Sequence, residues 1–395
     1  MAALYLHIPF CERKCSYCDF YSIESLKYIE PFVATLHREI AFRAASATNA
    51  PITSIFFGGG TPSLLQPDHI SSLLSNLRGS WNVQPDVEIT MECNPGTVSA
   101  ASLEGYRAAG VNRLSFGVQS FHENELAFLQ RIHSAHDAVE AMRLARMVGF
   151  DNVNMDLMFA LPPQTLASFA ATLARMVELE PDHISAYSLI YEHGTPLYAQ
   201  LKKGLVTPHA EELDAEMYAM AITTLTQAGY RQYEVSNFAK AGRECRHNLT
   251  YWHAQDHWAF GPSAHGRLGN MRYCNQRSLT AWTKSVEQGT LPQATVEVLD
   301  NQQQLEEFVF LHLRADGIPL DVVRQRFGID ILAALQPHLT FWIDAGMVDV
   351  STGRLSLTGE GYRVCDDITL RVLESLDYST RIASAIRIDD ARRAG

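Results

Sequence analysis

Cys11-Glu12-Arg13-Lys14-Cys15-Ser16-Tyr17-Cys18 is the stretch on which the reading of this chain turns. This C-x3-C-x2-C triplet follows directly on the apolar run Leu4-Tyr5-Leu6-His7-Ile8, which reads as a strand. A tight loop brings three sulfurs to one place, and cysteine thiolates are the usual ligands of iron–sulfur clusters. A four-iron cubane needs four ligands, so three cysteines leave one iron open, and an open position marks a reactive metal site. Zinc on the three cysteines plus His7 or Asp19 is an alternative, although paired C-x2-C units are the commoner zinc pattern. Three unrelated thiols are another, because free cysteine often serves as a small apolar residue. A disulfide is disfavoured, since it would strand the third sulfur.

Around that loop the chain is ordinary. Its 395 residues suffice for two domains, one of them a barrel of ~200–250 residues. Apolar residues make up 47% and charged residues 19%, as in globular proteins generally. Seven cysteines at irregular spacing argue against a disulfide framework and for a reducing compartment. Met1-Ala2-Ala3 is too short for a signal peptide, and no apolar run approaches the ~20 residues of a membrane span. A cytoplasmic location without a membrane span is therefore expected. The formal net charge of −12 disfavours nucleic acid as a partner.

To about residue 230, strand-like runs alternate with amphipathic segments such as Asp137–Val148. The strand candidates are Leu4–Ile8, Ile52–Phe57, Asp86–Met91, Arg113–Val118, Asn152–Met158 and His183–Ile190. That alternation predicts βαβ units and a parallel sheet, either a partial barrel or a doubly wound sheet. Ligands bind at the carboxyl ends of such strands. Those ends carry the cysteine loop, Gly58-Gly59-Gly60-Thr61-Pro62, Glu92, Gln119, Asp156, and Tyr187 with Ser188. The glycines allow close backbone approach and positive φ. Glu92 can accept hydrogen bonds from hydroxyls or an amine, and Gln119 can both donate and accept. Arg131 could fork onto a carboxylate. Asp156, inside the apolar run Val153–Phe159, needs a partner or a ligand.

Taken together, these residues resemble the radical S-adenosylmethionine (SAM) superfamily. More narrowly, the chain is similar to the oxygen-independent coproporphyrinogen III oxidases and their haem-chaperone relatives. Tyr5–Cys11, Gly58–Pro62, Leu114–Phe121 and Asn154–Leu161 carry the likeness. The resemblance implies an α/β fold, a partial (β/α)6 TIM-like barrel, with a [4Fe-4S] cluster on Cys11, Cys15 and Cys18. It further implies SAM on the open iron, contacted by Tyr5, Tyr17, Gly59, Gly60, Thr61, Glu92, Gln119, Arg131 and Asp156. In such enzymes an electron from the cluster cleaves SAM to methionine and a 5′-deoxyadenosyl radical, which implies an electron donor as a partner. The oxidase proper has a further cysteine two residues after the third, where this chain has Phe20, and an N-terminal extension ahead of the first strand. Both departures count against decarboxylation of coproporphyrinogen.

A second stretch, His247-Asn248-Leu249-Thr250-Tyr251-Trp252, reads H-N-x-x-Y-W, with His253, His257 and His265 following. Imidazole ligates haem iron and aromatic rings suit a macrocycle, while a structural aromatic seam is the alternative. From Lys240 to Arg277 six basic residues face two acidic ones, which suits propionates. In the haem-chaperone group this element is associated with haem, so the resemblance implies haem as cargo at His247, Tyr251 and Trp252, passed to haem-accepting proteins.

Past residue 286 the alternation stops. Leu305–Leu313, Asp321–Phe327 and Ile331–Ala345 read as helices, and Val348–Val350 with Arg354–Leu357 as a hairpin. The expected organisation is a barrel core over 1–235, a connecting segment over 236–285, and a mainly helical, winged-helix-like domain over 286–395. The last is not a DNA reader: from Asn301 onward ten arginines and no lysine face fourteen carboxylates. Leu357-Thr358-x-x-Gly361 reads as the start of a final helix. Three functions are compatible with all this: a haem chaperone on a radical SAM fold, a coproporphyrinogen III oxidase, and a radical SAM enzyme acting elsewhere.

Overall fold

The computed structural model describes residues 1–376 apart from 46 and 48. All six expected strands form: β1 (Ala2–Ile8), β2 (Ile52–Gly59), β3 (Val83–Cys93), β4 (Arg113–Gln119), β5 (Val153–Phe159) and β6 (His183–Ser188). Each pairs in parallel with the next, joined by helices such as Ile29–Ala44, Ala100–Ala109 and Ala135–Met147. Helix starts follow local chemistry: Ser99, Ser134 and Thr165 each accept a hydrogen bond from the third helical N–H.

Alternation of side chains decides the two faces of the sheet. In β1 the fully buried Leu4, Leu6 and Ile8 belong to the apolar core that includes Phe32, Leu36 and Ile40 of the first helix. The other face is polar. It carries Tyr5 and His7 of β1, Ser54 of β2, Glu88 and Glu92 of β3, Ser115 and Gln119 of β4, and Asn154 and Asp156 of β5. Hydrogen bonds run across it, from Asn154 Nδ2 to Ser115 Oγ (2.8 Å) and between His183 Nδ1 and Asn154 Oδ1 (2.6 Å).

Six further strands extend the sheet: β7 (Arg231–Glu234), β8 (Asn237–Ala239), β9 (Asp256–Phe260), β10 (His265–Leu268), β11 (Met271–Asn275) and β12 (Gln293–Val298). The order is β12-β11-β10-β9-β1-β2-β3-β4-β5-β6-β8-β7, and the ends do not pair among the described residues, so the barrel is partial. β9 runs parallel to β1, while β10, β11 and β12 continue antiparallel. The sheet thus reaches Val298, past residue 286, where regular alternation had been expected to end. A buried network pins this extension. Glu39, in the first helix, accepts from Arg43 Nε (2.9 Å), Asn275 Nδ2 (3.0 Å), Trp282 Nε1 (2.9 Å) and the Gly261 N–H (2.8 Å).

Two compact units divide the chain. The first holds 1–232, 236–250 and 255–298; the second holds 233–235, 251–254 and the residues from 299 onward. The second unit contains helices Asn301–Leu313, Leu320–Phe327, Ile331–Ala334 and Gln336–Asp344. It also contains a three-stranded sheet ordered β13 (Ile318–Pro319), β15 (Arg354–Leu357), β14 (Val348–Asp349). The expected single helix over 331–345 is two, because the second starts afresh with a proline in its first turn. Thr358 caps Gly359–Tyr362, and residues 365–376 are helical. Among the described residues no helix is long and apolar enough to cross a membrane.

Candidate functional site

The cysteine loop is held where β1 and β2 end. Gly60 N–H donates to Ile8 O (2.9 Å) and Thr61 N–H to Phe10 O (2.7 Å), while Cys11 N–H donates to Ile23 O (3.0 Å). Two glycines make this approach possible. Gly59 has φ +109°, and a Cβ there would lie 2.6 Å from the His7 ring; at Gly60 it would lie 2.5 Å from Phe10 O. Their first task is therefore to let the loop seat against the end of β2. Leu197 N–H, donating to Ser16 O (2.9 Å), ties the loop's middle to the helix Pro196–Lys202.

Donors point at the thiols. Thr61 Oγ1 donates to Cys11 Sγ (3.7 Å) and Arg131 Nη1 to Cys15 Sγ (3.6 Å). Burial, with Cys15 and Cys11 nearby, pushes the Cys18 thiol up to about 11, so a positively charged metal group is what would hold it as thiolate. Among the described residues no three His, Cys, Asp or Glu side chains converge closely enough to hold one metal ion. A cubane does not ask for that convergence, because each cysteine binds a different iron. Zinc does. His7 is also committed: its Nε2 donates to Tyr21 O (2.8 Å), and its Nδ1 accepts from Tyr5 OH (3.1 Å). Asp19 is exposed and lies 3.8 Å from Arg277. The zinc alternative thus lacks a fourth ligand, and the loop fits a cluster.

Next to the thiols lie two half-buried carboxyl groups, Glu92 and Asp156. Glu92 Oε2 accepts from the Gly59 N–H (3.0 Å), and Asp156 Oδ1 from Asn154 Nδ2 (2.7 Å). Burial, then the Asp156 charge, pushes Glu92 up to about 8, and burial also raises Asp156. Two desolvated carboxylates side by side are costly unless donors or positive charge meet them. Arg131 donates to Gly117 O (2.7 Å) through Nη2, yet its buried Nε has no partner. Gln119 sits at φ +70° at the end of β4, with its Nε2 close over Gly117. A non-glycine residue there carries strain of the kind found at ligand sites. Tyr17 packs against Leu129, Met158, Leu161, Leu189 and Leu197 and hydrogen-bonds Arg131.

Cys11, Cys15, Tyr17, Thr61 and Arg131 therefore gather around the loop, and Tyr5, Gly59, Glu92 and Asp156 adjoin them on the polar face. His247 does not join this group. It is 1% exposed, its Nδ1 bonds Ser54 Oγ (3.0 Å), its ring stacks on Phe56 at 4.9 Å, and its N–H donates to Glu88. Ser54 and Glu88 lie earlier along their strands than Gly59 and Glu92. His247 packs in the core and anchors the helix Arg246–Trp252 to the sheet. Tyr251 and Trp252, half-buried, fall in the second unit. The reading missed Glu88, which caps this helix by accepting from the Arg246 and His247 N–H groups (both 3.1 Å). It also missed the tautomer-setting contacts of His7.

The family model described as the radical SAM superfamily matches residues 5–176, and the HemN C-terminal domain matches 299–364. The heme chaperone HemW of Bacillus subtilis is 34% identical, across 91% of this chain and 96% of its own length. The chain belongs to the radical SAM superfamily, in its HemW-related group. A heme chaperone HemW of Mycobacterium tuberculosis shares 35% identity over 94% of both chains. The radical S-adenosyl methionine domain-containing protein 1, mitochondrial, of Bos taurus shares 35% over 95% of this chain and 88% of its own. Among solved structures, coproporphyrinogen III oxidase (HemN) from Escherichia coli superposes with a TM-score of 0.80 at 26% identity, covering 94% of this chain and 89% of that one. Radical SAM membership implies a [4Fe-4S] cluster and SAM.

Proposed function

We propose that this protein is a haem chaperone on a radical SAM fold. It binds a [4Fe-4S] cluster through Cys11, Cys15 and Cys18, and SAM beside it. It also takes up haem and passes it to haem-accepting proteins. The observation that carries the reading is the near full-length similarity to proteins named heme chaperones, joined to a cysteine loop beside which the buried Arg131 Nε has no hydrogen-bond partner. When bound, the cluster supplies an electron to the sulfonium of SAM. The chain's own residues prepare the place: Thr61 and Arg131 hold thiolate charge, and Glu92 and Asp156 receive the hydroxyls or amine of the ligand. Tyr17 and its apolar neighbours keep water from the thiols.

The likeness to coproporphyrinogen III oxidase favours a second reading, a decarboxylase. Phe20, 64% exposed where the oxidase pattern has a cysteine, weighs against it. The deciding experiment incubates anaerobically reconstituted protein with SAM and coproporphyrinogen III, and titrates the same preparation with haem. Stoichiometric haem binding without protoporphyrinogen IX supports the chaperone. Turnover to protoporphyrinogen IX would replace it with the oxidase.

A further inference from the structure

Half of the chain's six lysines sit on or beside the cysteine loop, in a chain whose formal net charge is −12. Between Cys11 and Cys18 the loop carries Arg13 and Lys14 against Glu12 alone. Arg13 is exposed; Lys14 is half-buried, and its Nζ donates to Phe20 O (2.9 Å). The helix Pro196–Lys202, tied to the loop by the Leu197 N–H on Ser16 O, runs out into Lys202 and Lys203, both exposed. No carboxylate occurs from 196 to 206, and among the described residues none pairs with Arg13, Lys202 or Lys203. Ile190 and Leu205, on either side of this helix in the chain, are 64% and 72% exposed.

We propose that this basic surface, with its exposed apolar side chains, is where the electron donor docks, and that the donor is a small acidic protein carrying a one-electron redox group. The proposal rests on the reading of a [4Fe-4S] cluster at Cys11, Cys15 and Cys18, and names the surface through which its electron arrives. One electron leaves the carrier's reduced group and the oxidised cluster takes it up, with no bond made or broken. Electron transfer falls off steeply with distance, so the carrier has to sit over the loop itself. The polar face with Glu92 and Asp156 takes SAM in that reading. Tyr17 of the loop packs instead with Leu189, Leu197 and Val206, so the segment that carries the lysines lies directly against the loop. Encounters that pass electrons bury little area, and a few apolar side chains rimmed by charge suffice for them. Local positive charge steers an acidic partner to this place on a molecule whose net charge repels it. Two lysines at a helix end also complement its dipole, but that accounts for neither Arg13 on the loop nor the exposure of Ile190 and Leu205.

The test uses the anaerobically reconstituted full chain with SAM, and a fully reduced, acidic flavodoxin as the probe. Stopped-flow absorbance follows reduction of the cluster, and calorimetry measures binding of the oxidised flavodoxin. Dithionite, a small reductant that needs no docking surface, is the reference. The variant combines Lys202→Glu with Lys203→Glu, and iron and sulfide content confirm that it is loaded. A control combines Arg78→Glu with Arg107→Glu, two exposed arginines in the last turns of helices that lead into β3 and β4, at the end of the sheet opposite the loop. Reduction of the wild type by flavodoxin is expected to slow as salt rises. At low salt the variant is expected to be reduced by flavodoxin roughly tenfold or more slowly than wild type, and to bind it correspondingly less. With dithionite the two should match. A wild-type rate indifferent to salt, a variant reduced as fast as wild type, an equal slowing in the control, or an equal slowing with dithionite would each overturn the proposal. So would a wild-type cluster that dithionite reduces and flavodoxin does not. A preparation that forms no cluster removes the cluster reading and this proposal together, whereas a cluster that forms and is reduced equally fast in the variant removes this proposal only.

Discussion

Glu92→Gln isolates the electrostatic cost of the carboxylate pair beside the cysteine loop, the proposed place of SAM. In the folded chain burial and the neighbouring Asp156 push Glu92 up to about 8, against 4.5 for an ordinary glutamate. The native state therefore holds this proton more tightly than the unfolded state does. Below pH 4.5 both states are protonated and the pocket carries no penalty. As pH rises toward 8 the unfolded chain ionises first, and stability falls by linkage. At ~1.4 kcal/mol per pKa unit the full shift corresponds to about 5 kcal/mol. Glu92 is only partly buried and shares its field with Asp156, which reduces the expected effect to roughly 2–4 kcal/mol. Glutamine keeps the shape and the acceptor for the Gly59 N–H but has no charge to bury. The assay is anaerobic thermal unfolding of cluster-loaded, SAM-free protein between pH 5 and 9, taking the difference between wild type and variant at each pH. The variant should gain relative stability from pH 5 to about 8 and level off above it, with a residual slope from Asp156. A wild-type-minus-variant difference independent of pH would refute the assignment of a buried, ligand-seeking carboxylate.

Other positions make equally direct claims. Gly60→Ala drives a Cβ against Phe10 O, so the cysteine loop must shift; about 1–3 kcal/mol of stability and a clear fraction of bound iron should be lost, as measured by unfolding and iron content. Thr61→Val keeps the shape but removes the donor to Cys11 Sγ, which should lower the cluster's midpoint potential in anaerobic titration. An unchanged potential would mean that the hydroxyl does not address a ligand sulfur. Glu39→Ala removes the carboxylate that balances the charge of the fully buried Arg43, leaving its bond to Asn275 Oδ1, and should cost about 3–5 kcal/mol, with hydrogen-exchange protection lost first in β10 and β11.

Much of this was legible in the sequence, for physical reasons that can be named. The six parallel strands announce themselves because each inserts apolar residues between polar ones, and β2, β4 and β6 end in a glycine or polar residue. The cysteine loop is legible because its chemistry is local. The antiparallel extension is not, since β10 and β11 are short, and β12 is exposed along nearly its whole length and so carries no burial rhythm. Glu39 and Arg43 look like the wet side of an amphipathic helix until Asn275 and Trp282, more than 230 residues away, arrive to bury them. The burial of His247 is hidden for the same reason. A histidine among aromatics suggests a ligand, and only the placement of Ser54, Phe56 and Glu88 shows that its ring is sealed in the core.

The most direct test of the central claim is EPR and Mössbauer spectroscopy of the anaerobically reconstituted, reduced protein, before and after SAM is added. The account predicts one four-iron cubane per chain, a spectrum that changes on adding SAM, and loss of the cluster when Cys11, Cys15 and Cys18 are replaced by serine. A preparation with no cubane signature, or one whose cubane survives those replacements, would contradict it.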